Sequence, residues 1–197
     1  VIAKQSDWRF DDSGTDLGTA WRATGYDDSG WNNGPSILGY GETYVSTVVS
    51  YGGDPNNKYV TTYFRKSFDL SADPGDVTGL TLYADYDDGF VAYLNGVEVA
   101  RRNVPTGFRP YNSLASSSHE ASGGTSGNSP ETISLSAFLG QLVSGTNVLA
   151  VQGINVSLAS TDLTLIAELR VPNAPPGAPT SPSPAPGSGG VSLNPTL

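Results

Sequence analysis

Carboxylates crowd at three places in this chain: Asp27-Asp28, the run Asp85, Asp87 and Asp88, and Glu120 beside His119. Two carboxylates at a fixed separation, one with a raised pKa, can hydrolyse a glycosidic bond. Asp87 and Asp88 are sequence neighbours, so on a strand they point to opposite faces. Turn chemistry at a strand end accounts for them. His119 is the one histidine. A serine triad needs that imidazole held by an acid and facing a serine. No Gly-x-Ser-x-Gly elbow accompanies it, and in a loop this rich in serine a chance neighbour is expected. With cysteine absent, disulfides, thiolate metal sites and cysteine nucleophiles are excluded. These residues predict no catalytic machinery. What they offer is oxygen ligation. Hard cations take about six to eight oxygens, and several Asp- and Gly-rich loops can supply them, without EF-hand spacing.

Aromatic side chains are the second chemical resource. Sugars stack their C–H faces on aromatic rings and offer hydroxyls to Asp, Asn, Arg and Glu. Rings on loops are therefore informative where they face solvent. Tyr40, Tyr44, Tyr51, Tyr86, Phe108 and Tyr111 are candidates, with Arg101, Arg102 and Arg109 nearby in sequence. The alternative for each tyrosine is a partly buried ring with a bonded hydroxyl. Residues 104–110, where Phe108 and Arg109 stand among Pro and Gly, form the preferred contact segment. The expected ligand-binding set is Phe108, Arg109, Tyr111, Arg102 and Tyr86.

The elements that position these groups are strands. Phe90, Ala92 and Leu94 alternate with Val91 and Tyr93, and Val97 and Val99 with Glu98, around Asn95-Gly96. Asn-Gly suits a tight hairpin because both central residues take positive φ. Further strands are predicted over residues 8–10, 59–70, 80–86, 147–155 and 162–171. Residues 1–60 read as loop-heavy and 103–130 as one long loop, a length that is often functional or mobile. Leu135, Phe138, Leu139 and Leu142 recur at helical spacing, predicting a short helix near 136–143 with Ser136 as N-cap and Gly145 as stop. Asp-Asp-Ser-Gly occurs at 11–14 and 27–30, too few copies for a repeat architecture. Asn155-Val-Ser157 matches a glycosylation acceptor, a signal common by chance.

Composition narrows the partners. The net charge is -9, which argues against nucleic acid and anionic membranes. No apolar run approaches the roughly 20 residues of a membrane span. The lack of methionine, even at position 1, reads as a processed product or a piece of something larger. After Val171 the composition changes: eight of the 14 prolines fall between Pro172 and Pro195. That is a polyproline-type linker, unable to form a core.

Several segments together resemble the galactose-binding-domain-like jelly rolls that accompany bacterial secreted glycoside hydrolases, polysaccharide lyases and phosphoesterases. They are Gly25-Tyr-Asp-Asp-Ser-Gly-Trp31, Gly39-Tyr-Gly-Glu42, Tyr63-Phe-Arg-Lys-Ser-Phe68, Leu82-Tyr-Ala-Asp-Tyr-Asp-Asp-Gly89, Ala92-Tyr-Leu-Asn-Gly-Val-Glu-Val99 and Ser144-Gly-Thr-Asn-Val-Leu-Ala-Val151. Their order is similar to that of the sugar-binding-type domain of family 2 glycosidases. The resemblance covers about residues 5–171. It implies an all-β, antiparallel β-sandwich of jelly-roll type with one short helix. It also implies a structural calcium tied between an early loop and the last strand, which makes Asp162 a partner for Asp27 or Asp28. The competing reading of Asp27-Asp28-Ser29-Gly30 is a turn whose Asp side chains cap backbone N–H groups. Asp87-Asp88-Gly89 also resembles the adjacent-aspartate calcium and sugar motif of PA14-type β-sandwiches, although the surrounding pattern departs from that family.

The expectation is thus a sandwich over 1–171, a linker over 172–190, and over 191–197 the start of a following module resembling a fibronectin-type repeat. It would be a secreted, non-catalytic accessory module binding polysaccharide or oligosaccharide beside neighbouring modules of the same polypeptide. The competing expectation is a structural or assembly module, a spacer, adhesin or filament subunit, whose extended tail pairs with a neighbouring chain.

Overall fold

The computed structural model describes residues 1–123 and 130–172. The proline-rich linker beyond 172 and the segment 191–197 lie outside the described residues. Eleven strands are present among the described residues: β1 (Asp7–Asp11), β2 (Asn32–Pro35), β3 (Leu38–Tyr40), β4 (Thr47–Val48), β5 (Thr61–Leu70), β6 (Thr81–Tyr86), β7 (Gly89–Leu94), β8 (Val97–Arg102), β9 (Glu131–Ser134), β10 (Gly145–Ile154) and β11 (Leu163–Arg170). They form two sheets, ordered β2-β1-β5-β10-β7-β8 and β4-β3-β11-β6-β9. Pairing is antiparallel except between β3 and β4. The result is a β-sandwich.

Alternation places one face of each sheet inside. Phe64, Phe90, Leu94 and Leu149 of the larger sheet share a core with Leu38, Leu82, Leu165 and Leu169 of the smaller. The larger sheet is also covered on its other face. Trp21, Tyr63, Val91, Tyr93 and Ala150 form a second apolar cluster there. Trp21 is fully buried, with ring centroids 4.7 Å from Tyr63 and 5.6 Å from Tyr93. A sheet buried on both faces reads as a near-continuous apolar run, which is why all of β7 is buried.

The hairpin turns where expected, with φ of 51° at Asn95 and 91° at Gly96. Its side chain also explains a distant motif. Asn95 donates to the carbonyl of Gln141 and to Oδ1 of Asn147, and accepts from the N–H of Val148. Asn147, fully buried, accepts from the N–H of Val143 and donates to the carbonyls of Val143 and Gly145. The two asparagines therefore staple the β7–β8 turn to the entry of β10.

Five elements differ from expectation. The segment near 136–143 is a 3-10 helix over Ser136–Gln141, and its N-cap position is Leu135 rather than Ser136. Leu135 is tied to Leu80 and accepts from Phe138 three residues on, a spacing that tightens the turn. Gly145, expected to stop that helix, opens β10 with φ of 82°. Strand β9 was not expected, because Ile133 is its one buried residue and leaves little alternation to read. Short strands β2, β3 and β4 likewise lie in the stretch read as loop.

Candidate functional site

The acidic run Asp85–Asp88 ends β6 and turns into β7, and its carboxylates part company. Asp85 accepts from both the N–H and the hydroxyl of Ser122, at 2.7 and 2.6 Å. Asp88 accepts from the N–H of His119 at 3.1 Å and from the N–H of Val156 at 2.8 Å. These two anchors clamp the long loop after β8 onto the sandwich, and Glu120 lies between the clamped residues. Asp162 arrives from the other side, immediately before β11. The Asp87 N–H bonds to the carbonyl of Thr164, two residues beyond Asp162. Gly41 makes a further approach possible. Its φ is +87°, and a Cβ there would lie 2.4 Å from the carbonyl oxygen of Thr161. The chain leaving β3 can therefore run against Asp162, and the charge of the next residue, Glu42, is felt at Asp87 and Glu120.

Carboxylate oxygens of Asp87, Glu120 and Asp162 consequently lie within 4.8 Å of one another. Asp87 is 3% exposed, and no hydrogen bond or ion pair reaches its carboxylate among the described residues. Burial pushes its pKa up to about 8, reinforced by the charges of Asp162, Asp88, Glu120 and Glu42. Glu120 is also raised, by desolvation and by Asp162 and Asp88. Nearby, Tyr40 is pushed up to about 12 by burial, while its hydroxyl accepts from Nδ2 of Asn155 at 2.6 Å. The smaller sheet's outer face is closed by Tyr44, whose hydroxyl is 3.3 Å from that of Thr164.

This arrangement suits one cation. Two oxygens on a common calcium at about 2.3–2.6 Å are separated by at most about 5 Å. The donors are all hard oxygens, and the one imidazole is engaged elsewhere. His119 stacks on Tyr86 with ring centroids 4.2 Å apart, and its Nδ1 is 2.8 Å from the Tyr86 carbonyl.

The expected metal set Asp27, Asp28 and Asp162 is not brought together as one group of ligands. Asp27 is exposed and caps the N–H of Ser29 at 3.0 Å. Asp11 does the same for Ser13, so both Asp-Asp-Ser-Gly copies are the same turn. Asp28 is held at 2.7 Å by the buried Arg65, which also donates to the carbonyls of Trp21 and Ala23. A guanidinium already neutralises that carboxylate. Asp162 joins Asp87 and Glu120 instead. Two sequence signals pointed to members of this cluster: the adjacent aspartates before a glycine for Asp87, and the family resemblance for Asp162, there paired with Asp27 or Asp28. The contribution of Glu120, on a long loop, carried none.

The expected ligand-binding residues separate into two groups. Tyr86 is 4% exposed and packs edge-on to Phe90, so its ring offers no face to a sugar. Arg102 is committed to Glu131 at 2.6 and 2.8 Å. Phe108 is 52% and Tyr111 36% exposed. Arg109 keeps its Nε buried, with no hydrogen-bond partner among the described residues. Asn155, the glycosylation candidate, is buried with its amide on Tyr40. No helix among the described residues is long and apolar enough to cross a membrane.

No family model matches this sequence, and no curated protein does. Solved structures with a similar arrangement include a β-glucuronidase from glycoside hydrolase family 2, at 19% identity and TM-score 0.45 over 77% of this chain. A β-glycosidase from Bacteroides vulgatus matches at 14% identity and TM-score 0.44 over 84%. A Bacteroides uniformis β-glucuronidase matches at 16% identity and TM-score 0.48 over 85%. The chain spans 13%, 20% and 17% of those three proteins' lengths, respectively.

Proposed function

We propose that this chain is a non-catalytic accessory β-sandwich of the carbohydrate-binding type, and that Asp87, Glu120 and Asp162 hold a calcium ion. The observation that carries the cation is Asp87: a buried residue whose carboxylate meets no hydrogen-bond donor among the described residues and lies beside two other carboxylates. Buried charges are costly unless paired or bound to a metal. A divalent ion removes the mutual repulsion and fastens the β6–β7 turn, the long loop and the entry to β11 at one point. Oxygen-only ligands favour calcium over zinc or copper. Carbohydrate binding is supported by aromatic rings held in solvent on loops, Phe108 and Tyr111 among them. As a module beside others in one polypeptide, it would raise the local concentration of a polysaccharide for its neighbours.

The test is calorimetric titration of the chelator-treated chain with CaCl2 and with MgCl2, followed by thermal melts. Calcium at about 100-fold over its Kd adds roughly 2.7 kcal/mol of stability, a shift of several degrees. No heat and no shift would overturn the calcium assignment. Gel retardation by polysaccharides judges the carbohydrate half: a chain that no polysaccharide retards would overturn it.

A further inference from the structure

Resting on the carbohydrate-binding reading, we infer that a cleft between Tyr59 and Tyr111 is the saccharide subsite, and that it takes a neutral sugar. The cleft has a volume of about 320 Å³, and Asn57, Lys58, Asn112 and Leu158 complete its walls. That volume falls within the range of small-ligand sites, about 300–1,000 Å³. Tyr59 is 38% exposed and Leu158 45%.

The Tyr59 ring is built into place. Gly14 has φ of +73°, and a Cβ there would stand 2.4 Å from the ring. Only a residue without a side chain can lie so close. Gly52 closes on the same ring, where a Cβ would be 3.1 Å away. The backbone around it is pinned as well: Tyr59 N–H bonds to the Tyr51 carbonyl, and Lys58 N–H to the Leu158 carbonyl. A half-exposed ring held this firmly presents an apolar face at little entropic cost on binding.

The polar groups indicate the ligand's charge. No carboxylate lines the cleft among the described residues. Lys58 is 8% exposed; its ammonium donates to the Ser160 carbonyl at 2.5 Å and lies 5.2 Å from the centre of the Tyr51 ring and 6.0 Å from that of Tyr40, so its charge is turned toward the protein rather than presented to a ligand. The exposed side-chain amides of Asn57 and Asn112 make no hydrogen bond among the described residues, and each can both donate and accept. Aromatic faces with free amides match the alternating C–H and hydroxyl surface of a neutral pyranose.

Native affinity electrophoresis of the full chain in gels containing β-glucan, xylan, galactan or galactomannan tests this, with calcium present throughout. At least one gel should retard the wild type. Tyr59→Ala and Tyr111→Ala should each weaken retention about tenfold, or about 1.4 kcal/mol, and Tyr111→Ala should do so with an unchanged melt. Tyr59→Phe, which keeps the ring, should retain most of it. Retention that survives both alanine variants but falls with Phe108→Ala overturns the cleft and leaves the carbohydrate reading standing. No retention in any gel overturns both, while the calcium titration still judges the cation site. Retention of an unrelated peptide column lost in the same variants, with no sugar effect, assigns the cleft to peptide and overturns the inference.

Discussion

Substitution of Asp87 by Asn keeps the size of the side chain and removes its charge, so the difference between wild type and variant isolates one titration. In chelated protein the folded-state pKa of Asp87 is raised from 3.8 to about 8, through burial first and then Asp162, Asp88, Glu120 and Glu42. The folded chain therefore holds a proton that the unfolded chain releases. The stability this contributes is complete below about pH 4 and is lost as pH rises toward about 8. One proton limits the slope to about 1.4 kcal/mol per pH unit. For a domain of this size, each kcal/mol corresponds to roughly 2–4 °C in Tm. Melts in chelator at steps of pH should show wild type falling relative to Asp87→Asn by about 2–5 °C per unit between about pH 5 and pH 7. At about pH 8, calcium should restore the wild type and leave the variant where it was. Parallel pH profiles, or equal calcium shifts in both proteins, would refute the account of Asp87 as a buried, metal-seeking carboxylate.

Asp28→Ala should destabilise by about 3 kcal/mol, because it strands the buried Arg65 guanidinium; urea unfolding should give the same loss with and without calcium. Asn147→Ala removes bonds to Val143, Gly145 and Asn95. A cost of about 1 kcal/mol for each of several bonds should appear as a lower urea midpoint. Trp21→Ala should cost about 3–5 kcal/mol, and near-ultraviolet circular dichroism should lose the signal of the Trp21–Tyr63–Tyr93 cluster.

Local sequence determined the longer strands and the main turn, but not the short strands β2, β3, β4 and β9. Alternation over β5–β8, β10 and β11 needs only the period-2 geometry of a strand, and Asn95-Gly96 needs only two positive φ angles. Asp27 and Asp11 as turn caps were equally legible, since an Asx turn closes within three residues. Tertiary structure decided the site. Asp87, Glu120 and Asp162 are separated by dozens of residues and meet because Asp85 and Asp88 clamp the loop carrying Glu120. It also decided which aromatics are usable. Tyr86, Tyr40 and Tyr111 look alike in sequence, but burial removes the first two from solvent and leaves the third exposed. Backbone pattern is a short-range property of the chain. Charge pairing and exposure depend on which distant segments arrive beside a residue, as a guanidinium, that of Arg65, does for Asp28 and two carboxylates, those of Glu120 and Asp162, do for Asp87.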